Sequence, residues 1–287
     1  MILVTGATGR LGSATIEHLL KHVSPESIVA FARDERKAKH WKETGVKVRF
    51  GAYDDTESLV RAMRDVEKIL LVSAPDPNGR LQRHRNVLNA AKKAGVKHIA
   101  FTGMATNDIR TSVIKPFMED LFNFEDELRE SGMIYTILRN TLYTDGIALF
   151  AGENVFRTGI FLPAGHGRVA FALRREMGEA AANVLLQTGH ENKTYIFTGS
   201  RLYSYEDVAR VLSELSGKDI TYTAADPGTF SDTLKGLGIP EIVVFVVNGF
   251  SADVSNGQYE SVSRDLEIVL AREPASLKDG LKEVYNF

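Results

Sequence analysis

Short apolar runs alternate with helical segments along the first half of the chain. The run Ile2 to Val4 is followed by Ile16, Leu19 and Leu20, which recur at the spacing of one helix face. Further strands are predicted at residues 27–32, 46–50, 68–72, 98–102 and 134–139, with helices at 34–44, 56–63, 80–94 and 116–130. This alternation predicts an α/β fold with a doubly wound parallel sheet and right-handed crossovers.

The pattern changes after Tyr143. Residues 144–172 read as loops around a turn at 163–167, and the rest of the chain predicts smaller elements. These are a helix at 176–187, a strand at 194–199 that rejoins the sheet, a helix at 204–216, a short strand at 220–222, and then small helices and loops. We therefore expect residues 1–143 to form the sheet domain and residues 144–287 to form a smaller C-terminal lobe that covers it.

A glycine-rich turn joins the first strand to the first helix. Gly6 permits a tight turn, Gly9 lets the main chain approach a phosphate, and Gly12 lets the helix pack closely on the sheet. Free N–H groups and the helix dipole at the N-terminus would then bind a pyrophosphate. The alternative is a turn that only connects two elements. The order strand, turn, helix favours a Rossmann-type dinucleotide-binding domain, with the turn residues Gly6, Ala7, Thr8, Gly9, Arg10, Leu11 and Gly12 at the cofactor.

The end of the second strand bears on the choice of cofactor. Arg33 follows the strand directly, where a guanidinium can bind the 2′-phosphate of NADP(H), and Lys37 lies one helical turn later. Asp34 leaves NAD(H) open, because a carboxylate there can accept from the ribose 2′-hydroxyl. A solvated helix start is a further alternative. We expect NADP(H) to be preferred over NAD(H).

Ligands of such sheets bind beyond the carboxyl ends of the strands. The candidate cofactor contacts that follow the later strands are Tyr53, Ser73, Ala74, Pro75, Gly103, Asn140, Leu142 and Tyr143. The basic residues of the helix at 80–94 are expected to form its solvated face; they are Arg80, Arg83, Arg85, Lys92 and Lys93.

Composition narrows the function classes. The net charge of −2 argues against nucleic acid as a partner, since phosphate backbones are bound by concentrated basic surfaces. The absence of cysteine excludes disulfides, thiolate catalysis and zinc–sulfur sites, and the seven histidines lack metal-ligand spacing, so no metal is expected. Neither a signal peptide nor a membrane span is apparent, which predicts a cytoplasmic protein, either a monomer or a homodimer.

The chain resembles the NmrA-like family of atypical short-chain dehydrogenase/reductase proteins, and within it the reductases of quinones and triphenylmethane dyes. The residues that carry the resemblance are the turn at 4–12, Arg33, the segments 86–91 and 94–99, Tyr135 to Asn140 with Leu142 and Tyr143, and the segment 189–195. The resemblance implies a dinucleotide-binding fold, NADPH with Arg33 at its 2′-phosphate, and reduction of quinones or cationic aromatic dyes.

The sequence departs from the family at positions that concern catalysis. The Tyr-x-x-x-Lys pair of the superfamily is missing, and Tyr135 is followed four residues later by Arg139. A histidine and a lysine that relatives often place before the sixth strand are matched here by Leu121 and Asp126. Ala52 replaces an aspartate, and the segment Arg174-Arg175-Glu176-Met177 replaces an Arg-x-Asp. No catalytic residue is assigned from the sequence.

Quinones and triarylmethyl cations tolerate the loss of a Tyr–Lys pair, since water can protonate the product. We therefore expect an NADPH-dependent oxidoreductase that transfers hydride to a quinone or similar planar aromatic acceptor. The candidate pocket residues are Tyr143, Phe150, Phe122 and Phe161, with His166 as a proton donor. Ordinary core packing of the aromatic residues and a simple loop histidine remain alternatives. A second hypothesis is a non-catalytic NADP(H) sensor that signals through a regulatory partner protein.

Overall fold

A single parallel sheet organises the molecule. The computed structural model describes residues 1–152 and 154–287. Its strands are β1 (Ile2–Val4), β2 (Ile28–Ala32), β3 (Lys47–Phe50), β4 (Lys68–Leu71), β5 (His98–Met104), β6 (Ile134–Asn140), β7 (Ile160–Leu162), β8 (Lys193–Phe197) and β9 (Tyr222–Ala224). Seven of them form one sheet in the order β3-β2-β1-β4-β5-β6-β8, and every neighbouring pair is parallel. The predicted doubly wound α/β fold is confirmed.

The helices connect and cover these strands. They are α1 (Arg10–Leu19), α2 (Glu35–Glu43), α3 (Thr56–Ala62), α4 (Arg80–Ala94), α5 (Lys115–Glu130), α6 (Ile147–Ala151), α7 (Val155–Thr158), α8 (Arg174–Leu186), α9 (Tyr205–Ser216), α10 (Pro227–Gly236), α11 (Glu241–Ser255), α12 (Asp265–Leu270) and α13 (Leu277–Tyr285). Short 3₁₀ turns lie at Pro25–Ser27, Ile109–Thr111 and Thr144–Gly146. The alternation of strand and helix up to β6 follows the hydrophobic pattern of the sequence.

Two hydrophobic cores lie on the two faces of the sheet. Successive strand residues point to opposite faces, so Leu3 and Ile69 belong to the core under α3, α4 and α5. Val4 and Leu70 belong to the core under α1, α2, α8 and α12. Both faces of the strands are thus buried, which explains their continuous apolar sequences.

The second half of the chain contributes to both the sheet and a lobe. Strand β8 pairs with β6, while α8 packs against α1. The segment 144–172, expected to be loop-rich, contains α6, α7 and β7, and β7 pairs in parallel with β9. Helix α11 is 15 residues long where small helices and loops were expected. These elements are too short, or too uniformly apolar, to show a clear period in sequence.

Among residues 1–152 and 154–287, no helix combines the length and the apolar sequence that crossing a membrane requires. Within the same ranges, no cluster of three or more histidine, aspartate or glutamate side chains has an arrangement that could hold a metal ion.

Candidate functional site

The turn after β1 has the geometry that its glycines predict. Gly6 has a φ of +59°, and the Gly9 N–H donates to the Gly6 carbonyl at 2.8 Å. A Cβ at Gly12 would lie 2.3 Å from the Gly6 oxygen, so only glycine fits where the helix meets the turn. No side chain caps the start of α1, and its first turn holds no acidic residue. The helix therefore presents free N–H groups to an anion.

A tryptophan from α2 holds this turn in place. The indole Nε1–H of Trp41 donates to the Ala7 carbonyl at 2.9 Å, and the Ser13 hydroxyl donates to the same oxygen at 3.0 Å. Trp41 is 2% exposed. Trp41 is not among the site residues predicted from the sequence, although a lone tryptophan on an otherwise charged helix is a usable signal. The two bonds fix the peptide next to the glycines.

Asp34, which follows β2, caps helix α2. The Asp34 carboxylate accepts hydrogen bonds from the backbone N–H groups of Arg36 and Lys37, at 2.9 and 3.4 Å, and so caps α2. Arg33 and Lys37 are exposed, and neither forms an ion pair with another residue of the ranges 1–152 and 154–287. One oxygen of the carboxylate, Oδ1, thus caps the helix start, while the two cations face solvent.

A first cleft of about 570 Å³ lies against the glycine turn. Its walls include Thr8, Gly9 and Arg10 from the turn, together with Asp145 and Arg174 from the second half of the chain. Asp145 binds Arg174 at 2.8 Å and Arg10 at 3.4 Å. The cleft therefore combines free helix N–H groups with three guanidinium groups, from Arg10, Arg174 and Arg175, which suit phosphate oxygens. Three carboxylates, from Glu17, Asp145 and Glu283, also line it.

A second cleft of about 870 Å³ lies at the carboxyl ends of β4, β5 and β6. Its walls include seven residues predicted to contact the cofactor: Ser73, Ala74, Pro75, Gly103, Asn140, Leu142 and Tyr143. Helices α5, α6 and α11 form the opposite, apolar wall, with Phe117, Met118, Leu121, Phe150, Val246, Val247 and Phe250. Arg174 lines both clefts, which makes them neighbours around one side chain.

Tyr143 occupies a polar corner of the second cleft. The Arg174 guanidinium carbon lies 4.1 Å from the centre of the Tyr143 ring, and the Asn140 side-chain nitrogen donates to the Tyr143 hydroxyl at 3.2 Å. Burial raises the pKa of Tyr143, while the Asn140 hydrogen bond and the Arg174 charge act in the opposite direction. Asn140 is 5% exposed, and its Oδ1 atom has no hydrogen-bond partner among the described residues.

The remaining predicted site residues lie elsewhere. The Tyr53 hydroxyl lies 2.6 Å from Thr5 Oγ1 and 3.0 Å from the Val72 carbonyl, so it ties β1 to the loop after β4. Phe122 packs below the Arg139 guanidinium, at 5.0 Å, on a face of α5 turned from the cleft.

Phe161 and His166 also lie outside the cavity wall. Phe161 is 37% exposed in β7 and packs against Phe230. The His166 side chain is 91% exposed and lies 2.7 Å from Glu206, and it lines neither of the two clefts. The alternative reading of a loop histidine fits this placement, because an imidazole in solvent has no cavity to serve.

Helix α4 corrects the expectation of a uniformly solvated basic face. Arg80 is 2% exposed and lines the second cleft, with Nε at 2.9 and 3.0 Å from the two carboxylate oxygens of Asp120. Arg83 bonds the carbonyls of Asp76 and Asn78. Arg85 is partly exposed beside Glu127, and only Lys92 and Lys93 are fully solvated. Arg83 turns toward carbonyl oxygens of the loop after β4, whereas Arg80 and Arg85 turn toward the carboxylates of Asp120 and Glu127 on α5.

The positions that differ from the family that the sequence resembles are spread over the molecule. Tyr135 lies near the start of β6, at the sheet edge opposite the clefts. Leu121 is part of the apolar wall, and Asp126 is an exposed partner of Arg129. Glu176 is buried and accepts from Arg272 and the Ala275 N–H. Its role is to join α8 to the C-terminal segment.

The fold and the clefts define a Rossmann-type protein with one cleft against the glycine turn and an adjoining apolar cavity. The model of the NmrA-like family matches residues 1–287, and the chain belongs to that family. Quinone oxidoreductase 2 of Escherichia coli (strain K12) is 34% identical over 287 residues, which span 100% of this chain and 99% of that relative.

Two solved structures are similar along their whole length. One is the NADPH-dependent quinone oxidoreductase of Escherichia coli in complex with NADPH, with a TM-score of 0.93 and 34% identity, covering 100% of both chains. The other is the triphenylmethane reductase of Citrobacter sp. in complex with NADP(H), with a TM-score of 0.91 and 36% identity, covering 99% of this chain and 100% of that one.

Proposed function

We propose that this protein is an NADPH-dependent oxidoreductase that transfers hydride to a quinone or a similar planar aromatic acceptor. The observation that carries the proposal is the pair of adjoining clefts, one at the glycine turn and one at the carboxyl ends of β4 to β6. A dinucleotide spans such a switch point, with its pyrophosphate on the helix and its nicotinamide over the strand ends. The relatives' association with NADPH, quinones and triphenylmethane dyes supports the same reading.

The preference for NADP(H) is supported by the end of β2. Arg33 and Lys37 present exposed cations where the adenosine ribose of a bound dinucleotide lies, and a 2′-phosphate is bound well by such groups. Asp34 is the residue that would favour NAD(H), but its carboxylate caps α2 through two backbone N–H groups. Both N–H groups donate to Oδ1, so Oδ2 is left as an acceptor, and the preference for NADP(H) rests on the two cations.

The second cleft supports an aromatic acceptor. Phe117, Met118, Phe150 and Phe250 line it together with the aliphatic residues of α11. Apolar walls of this kind exclude water and bind flat rings by packing. Arg174 brings a cation to the cavity, which favours an acceptor that gains negative charge on reduction, as a neutral quinone does.

The chain's contribution to the reaction is binding and orientation. When bound, NADPH supplies the hydride from C4 of its nicotinamide. The small residues Ser73, Ala74 and Gly103 leave room for a ring against the strand ends, and the apolar wall faces them. Holding an acceptor about 3–3.5 Å from the reacting carbon accounts for a large part of such a rate enhancement. No Tyr–Lys pair is needed for this step.

NADPH oxidation against a panel of quinones and triarylmethane dyes tests the function. We expect at least one quinone to accelerate oxidation, with saturable dependence on its concentration. If the protein binds NADPH tightly and no acceptor accelerates its oxidation, the reductase proposal fails. That result would favour a non-catalytic NADP(H) sensor acting through a partner protein.

A further inference from the structure

Two phenols reach the second cleft, and they differ in what holds them. Tyr143 follows β6 directly and lies next to Asn140, the last residue of that strand. Tyr205 comes from α9 in the lobe, where its ring packs edge-on against Phe171 and stacks near Tyr222. Only Tyr143 therefore sits at the strand ends, the edge of the sheet where the reacting ring of a dinucleotide lies.

The Asn140 amide orients the Tyr143 hydroxyl without consuming its proton. The amide nitrogen is the donor and the phenol oxygen the acceptor of their 3.2 Å hydrogen bond. The proton on the Tyr143 oxygen is thus left to be donated to a further group. Asn140 Oδ1, buried and unpartnered within residues 1–152 and 154–287, is a free acceptor in the same cleft. An acceptor in a cavity wall that lacks a hydrogen-bond partner points to a bound ligand that donates to it.

The Arg174 guanidinium lies over the face of the Tyr143 ring. With the guanidinium 4.1 Å from the ring centre, positive charge lies close to the phenol oxygen. Such a charge favours any state in which the oxygen carries more negative charge, and therefore strengthens the hydrogen bond that the hydroxyl donates. Asp145 holds the guanidinium by a 2.8 Å contact and a hydrogen bond from the Arg174 backbone N–H.

We propose that Tyr143 is a catalytic residue whose hydroxyl donates a hydrogen bond to the acceptor oxygen that becomes negatively charged, with Asn140 and Arg174 as its positioning residues. The proposal rests on the proposed quinone reductase function. It assigns to Tyr143, held by an amide and a guanidinium, the electrophilic assistance that a Tyr–Lys pair supplies in other members of the superfamily.

The proposed step balances as a hydride transfer followed by a protonation. The C4–H bond of NADPH breaks with both electrons, and the hydride forms a new bond on the quinone, giving NADP⁺ and the hydroquinone monoanion. Tyr143 keeps its proton and shares it with the anionic oxygen. A proton from water then completes the hydroquinone. Since charge develops on that oxygen during hydride transfer, the hydrogen bond strengthens in the transition state.

Tyr143→Phe tests the proposal, because it removes the hydroxyl and keeps the ring below Arg174. We expect kcat for a quinone to fall about 100-fold, as when one oxyanion donor is removed, with an unchanged Kd for NADPH. The primary isotope effect measured with NADPH deuterated at C4 should rise, because hydride transfer becomes more rate-limiting. For a cationic triarylmethane dye, whose reduction yields a neutral product, kcat should fall far less.

Tyr205→Phe is the matched comparison, since it removes the other phenol of the same cleft. A fall in kcat for Tyr205→Phe that equals or exceeds that of Tyr143→Phe overturns the assignment. An unchanged kcat and isotope effect in Tyr143→Phe overturn it as well. Failure of the proposed function is distinguishable from both, because the unmodified protein would then reduce no quinone at all.

Discussion

The imidazole of His84 accepts a hydrogen bond at Nε2 from the backbone N–H of Ala74, over a distance of 3.3 Å. His84 is completely buried on α4, between the rings of Phe101 and Phe124. Ala74 belongs to the loop after β4 that lines the second cleft. A neutral histidine in the core therefore fixes the floor of the proposed acceptor site.

This contact predicts a loss of stability in acid. Burial, aided by the charges of Arg80 and Arg83, lowers the pKa of His84 to about 3. In the unfolded chain the pKa is near its ordinary value of about 6.5, so between these values only the unfolded state binds the proton. His84 therefore destabilises the fold by about 2 kcal/mol more at pH 5 than at pH 7.

Urea unfolding at pH 7 and pH 5 measures this effect. The variant His84→Gln, which keeps an acceptor for Ala74, should lose less stability between the two pH values than the unmodified protein. Burial also lowers the pKa of His98, to about 4. His98 therefore adds a loss of stability in acid of the same sign, and this loss is present in both proteins. The exposed His166→Gln is the control. Equal pH dependence in His84→Gln and the unmodified protein would contradict the prediction.

Removal of the Trp41 indole should weaken cofactor binding without affecting chemistry. In Trp41→Phe the Ala7 carbonyl keeps only the Ser13 hydroxyl as a donor. One net hydrogen bond is worth about 1 kcal/mol, so we expect the Kd for NADPH to rise about fivefold at unchanged kcat. Calorimetric titration measures the Kd for NADPH. Ser13→Ala is the matched variant, because it removes the other donor to the Ala7 carbonyl. If neither variant changes Kd, the two bonds do not support the turn.

Arg33 should discriminate between the two dinucleotides. Arg33→Ala is expected to raise the Kd for NADPH about 30-fold and to change the Kd for NADH little, because a charged hydrogen bond to phosphate is worth about 2 kcal/mol. Arg36→Ala, with an exposed guanidinium near Asp34, serves as the control. Competitive titration with both cofactors gives the ratio of the Kd for NADPH to the Kd for NADH in each variant. Equal weakening of NADPH and NADH would refute the 2′-phosphate contact.

The ring of Tyr143 should contribute to acceptor affinity. Tyr143→Ala removes part of the wall of the second cleft but leaves the first cleft intact. We expect the KM for the acceptor to rise about tenfold, the effect of losing one partly buried aromatic contact, and the Kd for NADPH to change little. Steady-state kinetics at saturating NADPH provide the measurement. An unchanged KM would place the acceptor away from this residue.

The buried ion pair of α4 and α5 should matter for stability. Asp120→Ala leaves Arg80, itself 2% exposed, without its carboxylate, although Arg80 keeps contacts with the carbonyls of Ala74 and Phe117. Breaking such a pair costs about 3 kcal/mol. Asp126→Ala removes an exposed pair from the same helix and should cost less than about 1 kcal/mol. Urea unfolding compares them, and equal losses would contradict the burial argument.

The sheet and the glycine turn were predictable because their signals are local. A strand's apolar run, a φ of +59° at Gly6 and a close helix approach at Gly12 each depend on neighbouring residues in sequence. The inward turn of Arg80 and the bond from Trp41 to Ala7 depend on residues about 40 and 34 positions away. No periodicity in the sequence encodes such contacts.

The sequence also does not show which aromatic residues line the second cleft. Phe150 and Phe122 are equally apolar in sequence, yet only Phe150 lines the cavity. On α5 the residues Phe117, Met118 and Leu121 share the face toward the cleft, whereas Phe122 is turned to Arg139. Which face of α5 meets the cavity depends on how that helix packs against α4, β5 and β6, and the pattern of apolar residues alone does not give this packing.

The pairing of β8 with β6 affects how the chain folds during its synthesis. Strand β6 ends at residue 140 and its partner begins at residue 193, so during synthesis β6 remains an open edge until some fifty further residues have emerged. The intervening segment contributes no strand to this sheet, so β8 can cover the edge only after that whole segment has been synthesised. A truncation at residue 143 would retain every strand of the glycine-turn half and still leave that edge exposed. Such a fragment is expected to aggregate rather than to behave as a minimal nucleotide-binding unit.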